Sequence, residues 1–146
     1  MSKDFEDLFA CLTARSARAL VVGGYAVAYH AKPRFTKDID VFVDPSADNV
    51  ERVLQALADF GFGDLGLAAA DFTPGRVVQL GVPPNRVDLL TAIDGVTFEE
   101  AWADRAAGHL GPQPVFYIGR AHLIRNKRAS GRLQDLADVD ALDSRH

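Results

Sequence analysis

The chain predicts an α/β (α+β) fold, a small mixed β-sheet flanked by helices, and three observations carry that expectation. Apolar residues recur at helical spacing in some segments and alternate in period two in others. The two kinds of segment are interleaved along the chain in the order α-β-α-β-α-β-β-α-β-α-α rather than gathered into blocks. Two strand-like runs, residues 76–80 and 86–90, are joined by the short GVPPN segment, which reads as a β-hairpin with a five-residue loop.

Each element follows from its own residues. Phe5, Leu8, Phe9 and Leu12 make the apolar stripe of a helix over residues 3–15. Ala19 to Val22 is a short apolar strand that stops at Gly23-Gly24, and Tyr25 to His30 then reads as a helix packed behind that turn. AKPRFTK is a polar loop, because Pro33 biases Lys32 away from helix. Ile39 to Val43 alternates with aspartates and is a strand. Pro45-Ser46 opens the next helix with Ser46 at the N-cap, and Val50, Val53, Leu54 and Leu57 form its apolar stripe; GFGDLG ends it. Beyond the hairpin, residues 98–104 are helical and Pro114 to Ile118 is a short strand. Two further helices, about 120–129 and 132–142, are broken at Gly131.

Composition bounds what such a domain does. The 146 residues suit one domain of ordinary size, so residues 1–146 are expected to form a single unit. Hydrophobic residues make up 48% and charged residues 25%, enough for a real core and too apolar for disorder. A net charge of −4 argues against a broad nucleic-acid-binding surface. The single cysteine, Cys11, excludes an internal disulfide and a Cys-rich zinc site; its place in an apolar helical pattern predicts a small buried hydrophobe. MSKDFEDLFACL carries acids where a signal peptide needs a basic stretch and an apolar run, and no window is apolar enough to span a membrane. A cytoplasmic location with no membrane partner is expected.

The centre of the chain is unusual for a strand. Residues two apart on a strand share a face, so Asp38 and Asp40 project together while Ile39 and Val41 face the core. Two carboxylates that close repel and raise each other's pKa unless a cation lies between them, and a hard divalent ion such as Mg2+ or Mn2+ meets that need. RVDLL supplies a third acid: Asp88 shares a face with Arg86, whereas Val87 and Leu89 point the other way. If that strand lies beside the Ile39 strand, three carboxylates converge, enough for a two-metal site for in-line phosphoryl displacement. A DxD alone, or an Asp at a strand end alone, is common in turns; the combination of strand, Gly-Gly turn, helix, loop, DxD strand and later hairpin Asp is far more specific.

The order GGYAVAYH, then RFTKDIDVFV, then RVDLL resembles the nucleotidyltransferase superfamily that shares the polymerase beta catalytic core. The RFTKDID run and the tail LIRNKRASGRLQDLADVDAL are similar to a small bacterial branch of AbiEii-type toxins and minimal nucleotidyltransferases. The resemblance covers roughly residues 19–142 and implies the nucleotidyltransferase fold. It further implies that Gly23 and Gly24 approach the triphosphate, that Asp38 and Asp40 bind both metal ions, and that Asp88 completes the second metal site and helps activate the acceptor hydroxyl. Arg34 and Thr36 would touch phosphate or acceptor, and Lys127, with Arg128 beside it, would reach the nucleotide; the alternative for that pair is a solvated basic face. The implied cofactor is Mg2+ or Mn2+ and the donor an NTP. The acceptor stays open between tRNA, a protein side chain and a small molecule such as an aminoglycoside or lincosamide, the last on the pattern of antibiotic nucleotidyltransferases. A toxin–antitoxin or phage-defence role with a protein partner such as an antitoxin, and a non-catalytic or regulatory nucleotide-binding module, are the other readings.

Other candidates read as structural. His30 follows an apolar helix and is expected to cap it or pack at its end. His109 and His122 lack His or Cys partners at zinc-ligand spacing. Neither a nucleophile elbow nor a Walker A lysine motif occurs. Trp102 and the phenylalanines have core-like spacing, and DLGLAAADFTPG and GVPPN are long enough to shape a substrate mouth.

Overall fold

The computed structural model describes residues 3–31, 33, 36–81 and 86–143, with the side chain of Asp64 excepted. Helix α1 (Lys3–Ala14) turns into β1 (Ala19–Val22), and α2 (Gly23–His30) starts directly at its end. Strand β2 (Ile39–Val43) leads to α3 (Ala47–Leu57), and β3 (Val77–Leu80) and β4 (Val87–Leu90) follow. Next come α4 (Phe98–Ala103), β5 (Ala106–Leu110), β6 (Gln113–Tyr117), α5 (Arg120–Ser130) and α6 (Leu133–Asp143). The expected helices and strands are all present, and β5 is an addition that the sequence did not announce.

The strands form one six-stranded sheet in the order β3-β4-β2-β1-β6-β5. Pairs β3/β4, β1/β2 and β5/β6 are antiparallel, while β2/β4 and β1/β6 are parallel, so the sheet is mixed. The β3/β4 pairing bears out the expected hairpin; residues 82–85 of its GVPPN loop lie outside the described residues.

Directly paired residues share a sheet face, which sorts the side chains. Val22 opposes Asp40 and Leu20 opposes Phe42 across β1/β2, while Asp40 opposes Asp88 and Phe42 opposes Leu90 across β2/β4. Those residues line one face. Ile39, Val41, Val87 and Leu89 line the other and are buried, as the alternation predicted. All four residues of β1 are buried, so the centre of the sheet is covered on both sides.

Helix α1 packs on α3 and β6 through Phe5, Leu8, Phe9 and Leu12, and α2 packs on β1 and β2 and touches α5 and α6. Cys11 is only partly buried at the margin of this core, not enclosed in it. Ser46 has N-cap backbone geometry, yet its side chain makes no capping bond. Instead Asp44 accepts from the Ser46 N–H, and Asn49 ties that corner to the Arg18 backbone. After Leu57 the chain continues as a wide π-type turn, Ala58–Phe62, broken at Gly61, which takes a left-handed φ of 116° open to glycine. The segment beyond it folds against α3 and β3 with Phe72 buried. Helix α4 carries a complete capping box, Thr97 accepting from the Glu100 N–H and Glu100 accepting from the Thr97 N–H. A chain of aromatic contacts, Phe42–Phe98–Trp102–Phe116, holds α4 on the Asp40 face of the sheet. No helix among the described residues is long and apolar enough to cross a membrane.

Candidate active site

The geometry of the site follows from strand pairing. Because β2 and β4 run parallel with Asp40 opposite Asp88, two carboxylates stand side by side on one sheet face. Asp38, just before β2, is joined to the same cluster through Arg86: Nη2 of Arg86 lies 3.3 Å from Asp38 Oδ2 and 3.3 Å from Asp88 Oδ2. Nε of Arg86 lies 3.1 Å from Asp88 Oδ1. Strand β4 thus lies beside β2 with Asp88 next to Asp40, and the Arg86 guanidinium links Asp38 to Asp88.

The electrostatics of the cluster are those of crowded carboxylates. Burial and then the Asp88 charge push Asp40 up to about 6, and Lys127 and Arg86 pull it back. Among the described residues, the buried Oδ1 atoms of Asp38 and Asp88 and the buried Nε of Arg86 find no hydrogen-bond partner. Carboxylate oxygens, two of them idle and buried on Asp38 and Asp88, are the donor chemistry that hard divalent cations take, and in that respect the residues fit the implied Mg2+ or Mn2+. Among the described residues no three His, Cys, Asp or Glu side chains are spaced to hold a metal ion as they stand.

The turn at the end of β1 closes on the acids. Gly23 opens α2 at a left-handed φ of 65°, and a Cβ at that position would collide with Oδ2 of Asp40. Only glycine satisfies both requirements. Val22 at the N-cap makes no side-chain cap to the first backbone N–H groups of α2, which need acceptors from elsewhere. Gly24 occupies the second position of that first turn.

A cleft of about 210 Å³ runs from Gly23 and Asp40 to α5 and α6, where Asn126, Lys127, Arg132 and Asp135 line it. Its third wall is the loop after β4. Asn126 donates to the Asp94 carbonyl and Ser130 donates to the Asp94 carboxylate. Gly95 sits so close to Ala129 that a Cβ there would lie 2.7 Å from the alanine methyl. A larger apolar groove of about 640 Å³ lies between α1, Trp102 and the β5–β6 hairpin, but no carboxylate lines it among the described residues. The smaller, polar cleft is the one joined to the acids.

Lys127 corrects the solvated alternative: it is buried at 7% exposure, with Nζ 3.1 Å from Asp135 and 3.2 Å from Asp138. Arg132 joins the same group, with Nε 2.7 Å from Asp135 Oδ2. Burial raises the Asp135 carboxyl, but Arg132 and Lys127 outweigh it and hold it below the usual range. Arg128, by contrast, is on the surface in a 2.7 Å pair with Asp143. Thr36 gives its carbonyl to the Tyr25 hydroxyl and is not among the described residues lining the cleft. Arg34 lies outside the described residues. His30 packs at the end of α2, its Nε2 2.7 Å from the Ile118 carbonyl, as expected of a helix-end histidine. Two features went unread in the sequence, Arg86 as the counter-charge of the acids and Asp135/Asp138 as partners of Lys127. The first could be found from the shared strand face of Arg86 and Asp88. The second could be found from the acids that follow the Gly131 break in helical spacing.

Comparison of the chain with protein-family models and with curated proteins gives no match.

Proposed function

We propose that the protein is a Mg2+- or Mn2+-dependent nucleotidyltransferase that moves a nucleoside monophosphate from an NTP to a hydroxyl acceptor. One observation carries the reading: Asp40 and Asp88 oppose each other on parallel strands while the Gly23 turn packs against the Asp40 carboxylate. Acids and the first helix N–H groups then meet at one end of a cleft, which is what a triphosphate and its counter-ions require.

The chemistry asks little of the protein beyond positioning and charge. The acceptor oxygen forms a bond to the α-phosphorus, the bond from that phosphorus to the bridging oxygen breaks, and pyrophosphate leaves with the electron pair. Asp88 takes the hydroxyl proton. Backbone N–H groups of Gly23 and Gly24 hold phosphate oxygens at the start of α2. Asp38, Asp40 and Asp88 would hold the divalent cation, which supplies the positive charge that neutralises the phosphate oxygens. Lys127 contributes from the far wall, and to reach a phosphate directly it must exchange partners with Asp135 and Asp138. The cleft, about 210 Å³, is below the range of about 300–1,000 Å³ for sites that enclose whole ligands. It suits the phosphate chain, with the base resting outside it.

A second reading, a nucleotide-binding module without transfer that works with a protein partner, is favoured by the guanidinium of Arg86 lodged among the acids. One experiment separates the two. The protein is incubated with Mg2+ and each labelled NTP, with total tRNA, cell protein or aminoglycosides added in turn. Label should move to one acceptor class and stop moving in the Asp38→Ala/Asp40→Ala variant. Nucleotide binding with no transfer to any acceptor would favour the module.

A further inference from the structure

We infer that Arg86 is a built-in counter-ion of the carboxylate cluster, one that a divalent cation must displace to bind. The inference rests on the cation of the proposed function and adds a residue that sets how tightly it is held. Arg86 faces Asp38 and Asp88 at once, through one nitrogen 3.3 Å from an oxygen of each. Without its charge, Asp38 and Asp88 would lose the cation that bridges them, and only Lys127 would still offset the charge at Asp40, a costly arrangement around the buried Asp88.

The contacts are adequate in charge and poor in fit. Two other Arg–Asp pairs each close to 2.7 Å, Arg15 on Asp59 and Arg132 on Asp135, while Arg18 stands 3.9 Å from Asp44. Around Arg86 the approaches are 3.1 and 3.3 Å, and Arg86 Nε and Asp88 Oδ1, although neighbours, complete no directed hydrogen bond. A buried donor and acceptor left in that state cost free energy that a better-matched cation recovers. The Arg86 side chain is 33% exposed, so it has a route to water without unfolding its strand.

Exchange, not coexistence, follows from distance and charge. Magnesium takes carboxylate oxygens at about 2.0–2.1 Å, and the same oxygens now face a guanidinium. Two positive groups a few ångströms apart in a partly buried site repel by several times the thermal energy. The cation therefore binds as Arg86 swings out, and the free-energy gain of binding is reduced by the lost ion pairs.

The test titrates Mn2+ into nucleotide-free protein and counts free Mn2+ by its EPR signal, comparing wild type with Arg86→Met and Arg86→Lys. Arg86→Met should bind Mn2+ about tenfold more tightly or better, the scale on which groups beside metal ligands act, with Arg86→Lys in between. Equal or weaker binding by Arg86→Met, with wild type still binding, overturns the counter-ion and leaves the proposed function standing. Absence of Mn2+ binding in every form overturns both. Because the variants could fold poorly, the wild type is also followed by 15N NMR of the Arg86 Nε–H. Saturating Mg2+ should move that signal to the position of a solvated arginine, and a signal unmoved at saturation overturns the inference.

Discussion

A carboxyl pushed up to about 6 is a statement about stability as well as chemistry, and at Asp40 the sign can be worked through. The folded state holds this proton more tightly than the unfolded chain, whose aspartate titrates near 3.8. Between those values the folded state binds more protons, so stability falls as pH rises through the window. Above about pH 6 the burial of the ionised Asp40, and after it the Asp88 charge, costs about 3 kcal/mol, and below about pH 4 it costs nothing. Urea denaturation of cation-free protein between pH 4 and 7 should therefore show this loss. Asp40→Asn should remove that part of the slope and be the more stable protein at pH 7; a slope unchanged in Asp40→Asn would mean the crowding is not there. Much of the site was legible at this scale. Period-two alternation put Asp38 and Asp40 on one face, and the same rule put Asp88 on the face of Arg86. What the alternation does not encode is which strand lies beside which, and only the parallel β2/β4 pairing turns separate acids into neighbours.

At the scale of elements, an ion cluster under its turn joins the apolar packing that holds the α5–α6 hairpin. Lys127 is buried against Asp135 and Asp138, while Leu133 and Leu136 on α6 stand 88% and 49% exposed. Removing one partner of a buried pair leaves an uncompensated charge, at a cost of about 3–5 kcal/mol. Lys127→Met should therefore unfold at clearly lower denaturant, while Arg128→Met, which removes only an exposed pair with Asp143, should shift stability by less than about 1 kcal/mol. Equal midpoints for the two variants would show that the cluster does not secure the hairpin. The helices themselves were legible because each carries an apolar stripe or a break at glycine. Strand β5 was not, since AAGHL has neither β-branched nor large apolar residues at its start. Its register comes from elsewhere: it pairs along all of β6, and Gly108 lies under the Tyr29 and Tyr117 rings, where a Cβ would come within 2.8 Å of Tyr29. Tertiary packing, not local preference, makes that strand.

For the whole molecule, the strand order decides which parts open first. β1 and β2 occupy the middle of the sheet, and β1 is buried at every residue. β3 and β5 are the edges, with every other residue of β3 exposed and β5 largely uncovered. Opening an edge strand breaks one ladder, whereas opening β1 breaks two, one antiparallel to β2 and one parallel to β6, and exposes the core on both faces. Native-state hydrogen exchange should therefore rank the amides of β1 and β2 slowest, near the global unfolding free energy, with β4 and β6 next and β3 and β5 fastest. The candidate site straddles that gradient. Asp40 sits on a central strand and Asp88 on its neighbour, whereas the opposite wall of the cleft is α5 and α6, tied to the sheet side by Asn126 and Ser130 on Asp94 and by the contacts of α2. A ligand that fills the cleft bridges the central strands and the α5–α6 hairpin. Mg2+ with a non-hydrolysable NTP should therefore slow exchange in α5, α6 and residues 92–95 by at least about tenfold and leave β5 unchanged. Slowing that is uniform over the whole chain, or confined to β5 and α1, would place the ligand elsewhere.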